Sequence, residues 1–179
     1  MAKFGETLVS DFLSQLGLKP IKINEGDEQT PDFEVKNMIN DELLFYLEEK
    51  TIDPDSFLEN VEPGIIIDGN DTSENALEKK FRKAVKQFKS VNENHIKPNV
   101  LAFVNLNDMV NSHDLYISLT GTGLTENGKV IPFRRVGRVK DDIEHVDLCL
   151  WFGKEGLQNV LWMPSSEEHK ETLKQLLRL

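Results

Sequence analysis

The sequence predicts an α/β domain, a central mixed β-sheet with helices on both sides. Three observations carry this expectation. An amphipathic helix opens the chain, a hairpin with a polar loop follows, and a second helix leads into the continuous apolar run Asn99 to Leu106, which suits a strand covered on both faces. Strand, helix and further strand in that order form the pattern of a crossover unit.

Taken in order, Phe4, Leu8, Phe12 and Leu16 recur at helical spacing, with Gly17 as the expected stop. Glu6 lies beside this stripe in the first turn, where the backbone dipole favours an acid. Pro31 lacks a backbone donor and suits the first residue of a strand, which puts Asp32 just inside a strand reaching Lys36. The turn-forming stretch Asn37 to Asp41 then leads to the apolar run Leu43 to Leu47, completing the hairpin. Asp53 to Gly64, broken by Pro54, Pro63 and several acids, reads as a connection inside the domain. A turn dipeptide and a cluster of capping residues before Glu74 announce a helix to Ser90, with Leu77, Phe81, Ala84, Val85 and Phe88 on its buried face. Lys79, Lys83 and Lys86 fall opposite, and Lys80 and Gln87 on one flank.

Beyond Leu106 the sequence supplies architecture more than chemistry. Leu115 to Leu119, Val130 to Phe133, Val146 to Phe152 and Asn159 to Met163 are strand candidates, the third equally able to begin a helix. Ser165-Ser166-Glu167-Glu168 caps a closing helix that turns Leu173, Leu176 and Leu177 inward. Thr120-Gly121-Thr122-Gly123 lacks the Gly-Lys-Ser/Thr ending of a phosphate loop and reads as a flexible turn.

At 179 residues and 39% hydrophobic composition, one core and one domain spanning 1–179 are expected. No run nears the ~18 apolar residues of a membrane span, and the amino terminus lacks a basic segment followed by an apolar one, so a cytoplasmic protein is expected. Cys149 is the only cysteine, which excludes an intramolecular disulfide and a cysteine-based zinc site. His95, His113, His145 and His169 show neither finger spacing nor the close pairing of a zinc-protease helix. With 31 acids against 21 basic residues the formal charge is -10, which argues against long-range attraction to a polyanion.

The chemistry concentrates in Thr30-Pro31-Asp32-Phe33 and in Phe45 to Thr51, which place Asp32, Glu48 and Lys50 on adjoining strands. Phosphodiesters repel anionic nucleophiles, so their hydrolysis calls for a hard cation held by carboxylates. A nearby ammonium adds charge and can position water. Strand side chains alternate faces, so Glu48 and Lys50 point one way and Glu49 the other.

Pro31-Asp32 followed by Glu48-Glu49-Lys50 resembles the motif of the PD-(D/E)XK, restriction-endonuclease-like nucleases, over roughly the first half of the chain. The resemblance implies a restriction-endonuclease-like three-layer fold, phosphodiester hydrolysis in DNA, and Mg2+ held by Asp32 and Glu48, with Mn2+ as a substitute and Lys50 orienting or deprotonating water. It also implies a metal-side role for Glu6 on the first helix, and a substrate-side role for Gln87 and Lys83 on the helix after the acidic-X-Lys strand. Arg134, Arg135 and Arg138 gather with Lys140 closely enough to contact a phosphate backbone if they share a surface with that site. Many such nucleases act as dimers, and the acidic surface equally suits a protein partner. From another class, a binding or regulatory protein, such as a defence or immunity component, can keep this fold without catalysis.

Overall fold

The computed structural model of the chain describes residues 4–24, 29–53, 69–125, 127–132, 139 and 141–179. The order of elements is α1 (Phe4–Gln15), β1 (Leu18–Lys22), β2 (Phe33–Asn37), β3 (Leu43–Ile52), α2 (Gly69–Val91), β4 (Asn99–Asn105), α3 (Ser112–Thr120), β5 (Thr122–Leu124), β6 (Val130–Pro132), β7 (Leu148–Gly153), β8 (Gly156–Trp162) and α4 (Glu167–Leu177). Six strands form one mixed sheet in the order β1-β2-β3-β4-β7-β8, and β5 pairs β6 separately. Neighbours β3, β4 and β7 run parallel, whereas β1, β2 and β3 are antiparallel in turn and β8 is antiparallel to β7.

The sheet sorts its side chains between two apolar layers. Leu101 and Phe103 of β4 join Cys149 and Trp151 of β7 under α2 and α3. Val100, Ala102 and Val104, with Leu148, Leu150 and Phe152, meet α1 and α4 on the opposite face. This is why Asn99 to Leu106 carries no polar alternation, since both faces of β4 are covered. Leu77, Phe81, Ala84, Val85 and Phe88 are all buried, as the helical spacing predicts. Cys149 is buried, and that burial pushes its thiol well above the usual range, leaving a neutral packing group.

Several elements differ from expectation. In α1 the stripe is centred on Val9 and Leu13, with Leu8, Phe12 and Leu16 beside it and Phe4 exposed. Gly17, at φ 80°, ends the helix in a conformation open to glycine. β1 carries no sequence signal of its own. It is five residues long and contains Pro20, which an edge strand tolerates because one side of it needs no donor. α2 begins at Gly69 instead of Glu74, and the connection expected over Asp53 to Gly64 lies, beyond Asp53, outside the described residues.

Leu115 to Leu119 is helical, not a strand. Asn111 caps α3 by accepting from His113 and Asp114 amides while the Asp114 carboxylate accepts from the Asn111 amide, and Gly121 closes the other end at φ 72°. Those caps, with Leu115 and Leu119 one turn apart, override the strand preference of Tyr116 and Ile117. Strand β7 and the Ser166-capped helix α4 follow the expected pattern, and β8 begins at Gly156 instead of Asn159. Among the described residues no helix is long and apolar enough to cross a membrane.

Candidate functional site

The turn between β2 and β3 is built from its own side chains. Asn37 accepts from the Ile39 amide and Asn40 from the Glu42 amide, and Asp41 takes φ 55°. The resulting register pairs Phe33 with Leu47, which places Asp32 next to Glu48. Pro31 is buried immediately before them.

Asp32 and Glu48 then clasp each other's strand. The Asp32 amide donates to Glu48 Oε2 at 3.0 Å, and the Glu49 amide donates to Asp32 Oδ2 at 2.8 Å. Strand amides point along the sheet, so the Asp32 carboxylate occupies a rung where a neighbouring backbone carbonyl would otherwise sit. On the α2 face, Lys50 Nζ is paired with Glu48 and donates to Gln87 Oε1 at 3.0 Å. Gln87 Nε2 in turn donates to the Thr30 carbonyl at 2.8 Å, and Ser90 Oγ to that of Gln29 at 3.0 Å. Helix α2 therefore holds both the ammonium and the segment that delivers Pro31-Asp32.

The α1 face carries a second set. Glu6 is buried and paired with Lys22, whose ammonium also lies 3.7 Å from Asp32 Oδ1. Glu49 points to this side, as alternation requires, and accepts from Thr51 Oγ1 at 2.6 Å. Asp32 thus lies between Glu48 on one face and Glu6 and Glu49 on the other.

Burial dominates the electrostatics. Glu48 is 1% exposed, and loss of hydration pushes its carboxyl up to about 7 against the opposing pull of Lys50, with Asp32 adding to the rise. Glu49 is also raised to about 7 by burial; its bond from Thr51 opposes the rise and the Asp32 charge adds to it.

Gly5 permits this crowding. A methyl added there would lie 2.6 Å from Thr51 Oγ1 and closer still to the Glu49 carboxylate. Gly5→Ala is therefore expected to lower stability by about 1–3 kcal/mol, the usual cost of overpacking. Urea unfolding of the two proteins checks this, and an unchanged midpoint would mean that α1 can ride away from β3 freely.

Of the residues singled out in the sequence, Asp32, Glu48, Lys50 and Gln87 are linked directly and Glu6 joins through Lys22. Lys83 is solvent-exposed on α2. Arg134, Arg135 and Arg138 lie outside the described residues. Sequence reasoning did not find Lys22, because β1 gives no periodic signal. It also set Glu49 aside on its outward alternation, although its amide and carboxylate both border Asp32.

Among the described residues, one group of three metal-ligating side chains has ligand atoms that all lie within 4.8 Å, and it is His95, Asp147 and His169. Glu6, Asp32 and Glu48 are not gathered so closely, their carboxylates being interleaved with the Lys22 and Lys50 ammoniums. Comparison with protein-family models, curated proteins and solved structures finds no match to the chain.

Proposed function

We propose that the protein is a divalent-metal-dependent nuclease with a restriction-endonuclease-like fold, acting on DNA. The observation that carries this reading is the reciprocal clasp of Asp32 and Glu48 beside a lysine ammonium that Gln87 holds in place. Asp32 and Glu48 would hold Mg2+, or Mn2+ in its stead, with Glu6 adjoining.

The donor chemistry fits such an ion. Glu6, Asp32, Glu48 and Glu49 are hard oxygen donors, and when all are ionised they leave two negative charges beyond what Lys22 and Lys50 neutralise. A bound divalent cation supplies charge neutralisation at the phosphate and hydroxide near neutral pH. Lys50 adds a positive charge where negative charge builds on the phosphate and is placed to orient water. Gln87 fixes that ammonium and keeps Thr30 in place, so it acts as a positioning residue, while Lys83, Arg134, Arg135 and Arg138 remain candidates for the phosphate backbone.

A second reading, a binding or regulatory protein that keeps the fold without catalysis, is favoured by the net charge of -10. The two separate on magnesium titration followed by thermal unfolding, with a nuclease assay alongside. The nuclease reading expects a rise in midpoint that disappears in Asp32→Ala, since an ion bound only by the folded state stabilises it by mass action. The absence of both stabilisation and cleavage in magnesium and manganese favours the binding protein.

A further inference from the structure

We propose that His95, Asp147 and His169 form a second metal site, separate from the carboxylate cluster, that binds one transition-metal dication of the zinc class and pins three elements together. The three residues come from the turn after α2, the residue preceding β7 and the first turn of α4. Asp147 is fully buried, and each of its carboxylate oxygens meets an imidazole, His95 Nε2 at 2.7 Å from Oδ2 and His169 Nδ1 at 3.0 Å from Oδ1. The two rings lie edge to face with centroids 5.1 Å apart.

Two features bear on what the cluster could hold. First, both nitrogens of His169 face acceptors, Nδ1 the Asp147 carboxylate and Nε2 the Ile96 carbonyl at 3.4 Å. A neutral imidazole has one N–H and can satisfy only one of them. A second ring proton would serve both acceptors, and so would a metal between Nδ1 and the carboxylate, which leaves Nε2–H for the carbonyl, the outer-shell bond that commonly fixes a ligating histidine. Second, His95 sits at φ 50°, a conformation that glycine adopts without strain. The residue held there is the one whose Nε2 meets Asp147 Oδ2.

The carboxylate is also held ready. The Asn99 amide donates to Asp147 Oδ2 at 2.7 Å, and the Asp147 amide donates back to the Asn99 carbonyl at 2.9 Å. Two imidazoles and one carboxylate suit zinc, cobalt or nickel and do not suit magnesium, which prefers an all-oxygen shell. Both histidines are partly exposed, which gives an ion access and leaves room for water as a further ligand. Because the ligands are far apart in sequence, the ion would clip α4 and the turn before β4 onto the end of the sheet, closing long loops.

The test uses protein stripped with a chelator and dialysed. Addition of Co2+ in excess Mg2+, which occupies the carboxylate cluster, is read by visible absorption and is expected to titrate to one equivalent in the wild type, with Zn2+ displacing it. His169→Gln and His95→Gly are each expected to weaken Co2+ binding by more than the roughly 10–100-fold typical of losing an outer-shell partner. The His95→Gly protein relaxes its backbone, so retained folding and lost binding in that variant separate a ligand role from a structural one. His113→Gln, at an exposed histidine of α3 outside both clusters, is expected to bind Co2+ as the wild type does. Failure of stripped wild-type protein to bind Co2+ or Zn2+, or binding by both histidine variants as tight as that of the wild type, overturns the proposal and leaves an ion-paired hub.

Discussion

Lys50→Ala is expected to lower metal-dependent cleavage of plasmid, linear or single-stranded DNA by at least ~100-fold, the scale on which removal of one charge-stabilising donor is felt. Asp32→Asn is expected to do the same by a different route, since it keeps the shape of the clasp and removes a charge. Gln87→Ala should fall less, about tenfold, because it touches Lys50 and Thr30 and would act through their placement. The measurement is initial rate in magnesium and in manganese at several DNA concentrations, with circular dichroism to show that each variant folds. Equal cleavage by wild type and Lys50→Ala would identify a contaminating enzyme and remove the nuclease reading. The net charge of -10 adds a condition to the experiment: non-specific affinity should be weak, so low ionic strength is the setting in which activity is easiest to see.

Protein free of divalent ions is expected to lose stability as pH rises from about 4.5 to about 7, then level off. The sign follows from the raised carboxyls. Glu48 and Glu49 move from 4.5 in the unfolded chain to about 7 in the fold, so between those values the folded state keeps protons that the unfolded state releases. At about 1.4 kcal/mol for each unit, each group lowers stability by about 3 kcal/mol once pH passes 7. Glu49→Gln should therefore be more stable than wild type at pH 8 by up to that amount, with the gap closing towards pH 5. Glu49 is the cleaner choice because Glu48→Gln would strip Lys50 of its partner. Chemical denaturation across pH 5–8 in chelator reads the slope. A flat profile would show that the two carboxylates are hydrated or already paired in solution. Magnesium should restore stability most at pH 8, where no proton competes for the oxygens.

The parts of the fold that were legible in the sequence are those where local signals agree. Pro31, the Asn37 to Asp41 turn and the run to Leu47 all specify one hairpin, and the hairpin alone brings Asp32 beside Glu48. The buried stripe of α2 follows from periodicity, and Gln87 falls on its flank by the same count. What was missed has physical reasons. β1 is short, contains a proline and is stabilised by pairing with β2, a tertiary effect, so Lys22 stays hidden. Leu115 to Leu119 reads as a strand from its apolar run alone, and the Asn111–Asp114 capping box that makes it helical lies upstream of that run. His95, Asp147 and His169 come together only because parallel strands β4 and β7 begin side by side, a fact of topology that no spacing rule contains.

The rung that Asp32 takes from the sheet has one more consequence. A backbone amide bonded to a carbonyl senses only geometry, whereas the Glu49 amide is bonded to a side-chain carboxylate that a cation could also reach. Were a cation held there, the Glu49 proton resonance would be expected to shift with its occupancy, and the strand would report on the site without any label attached.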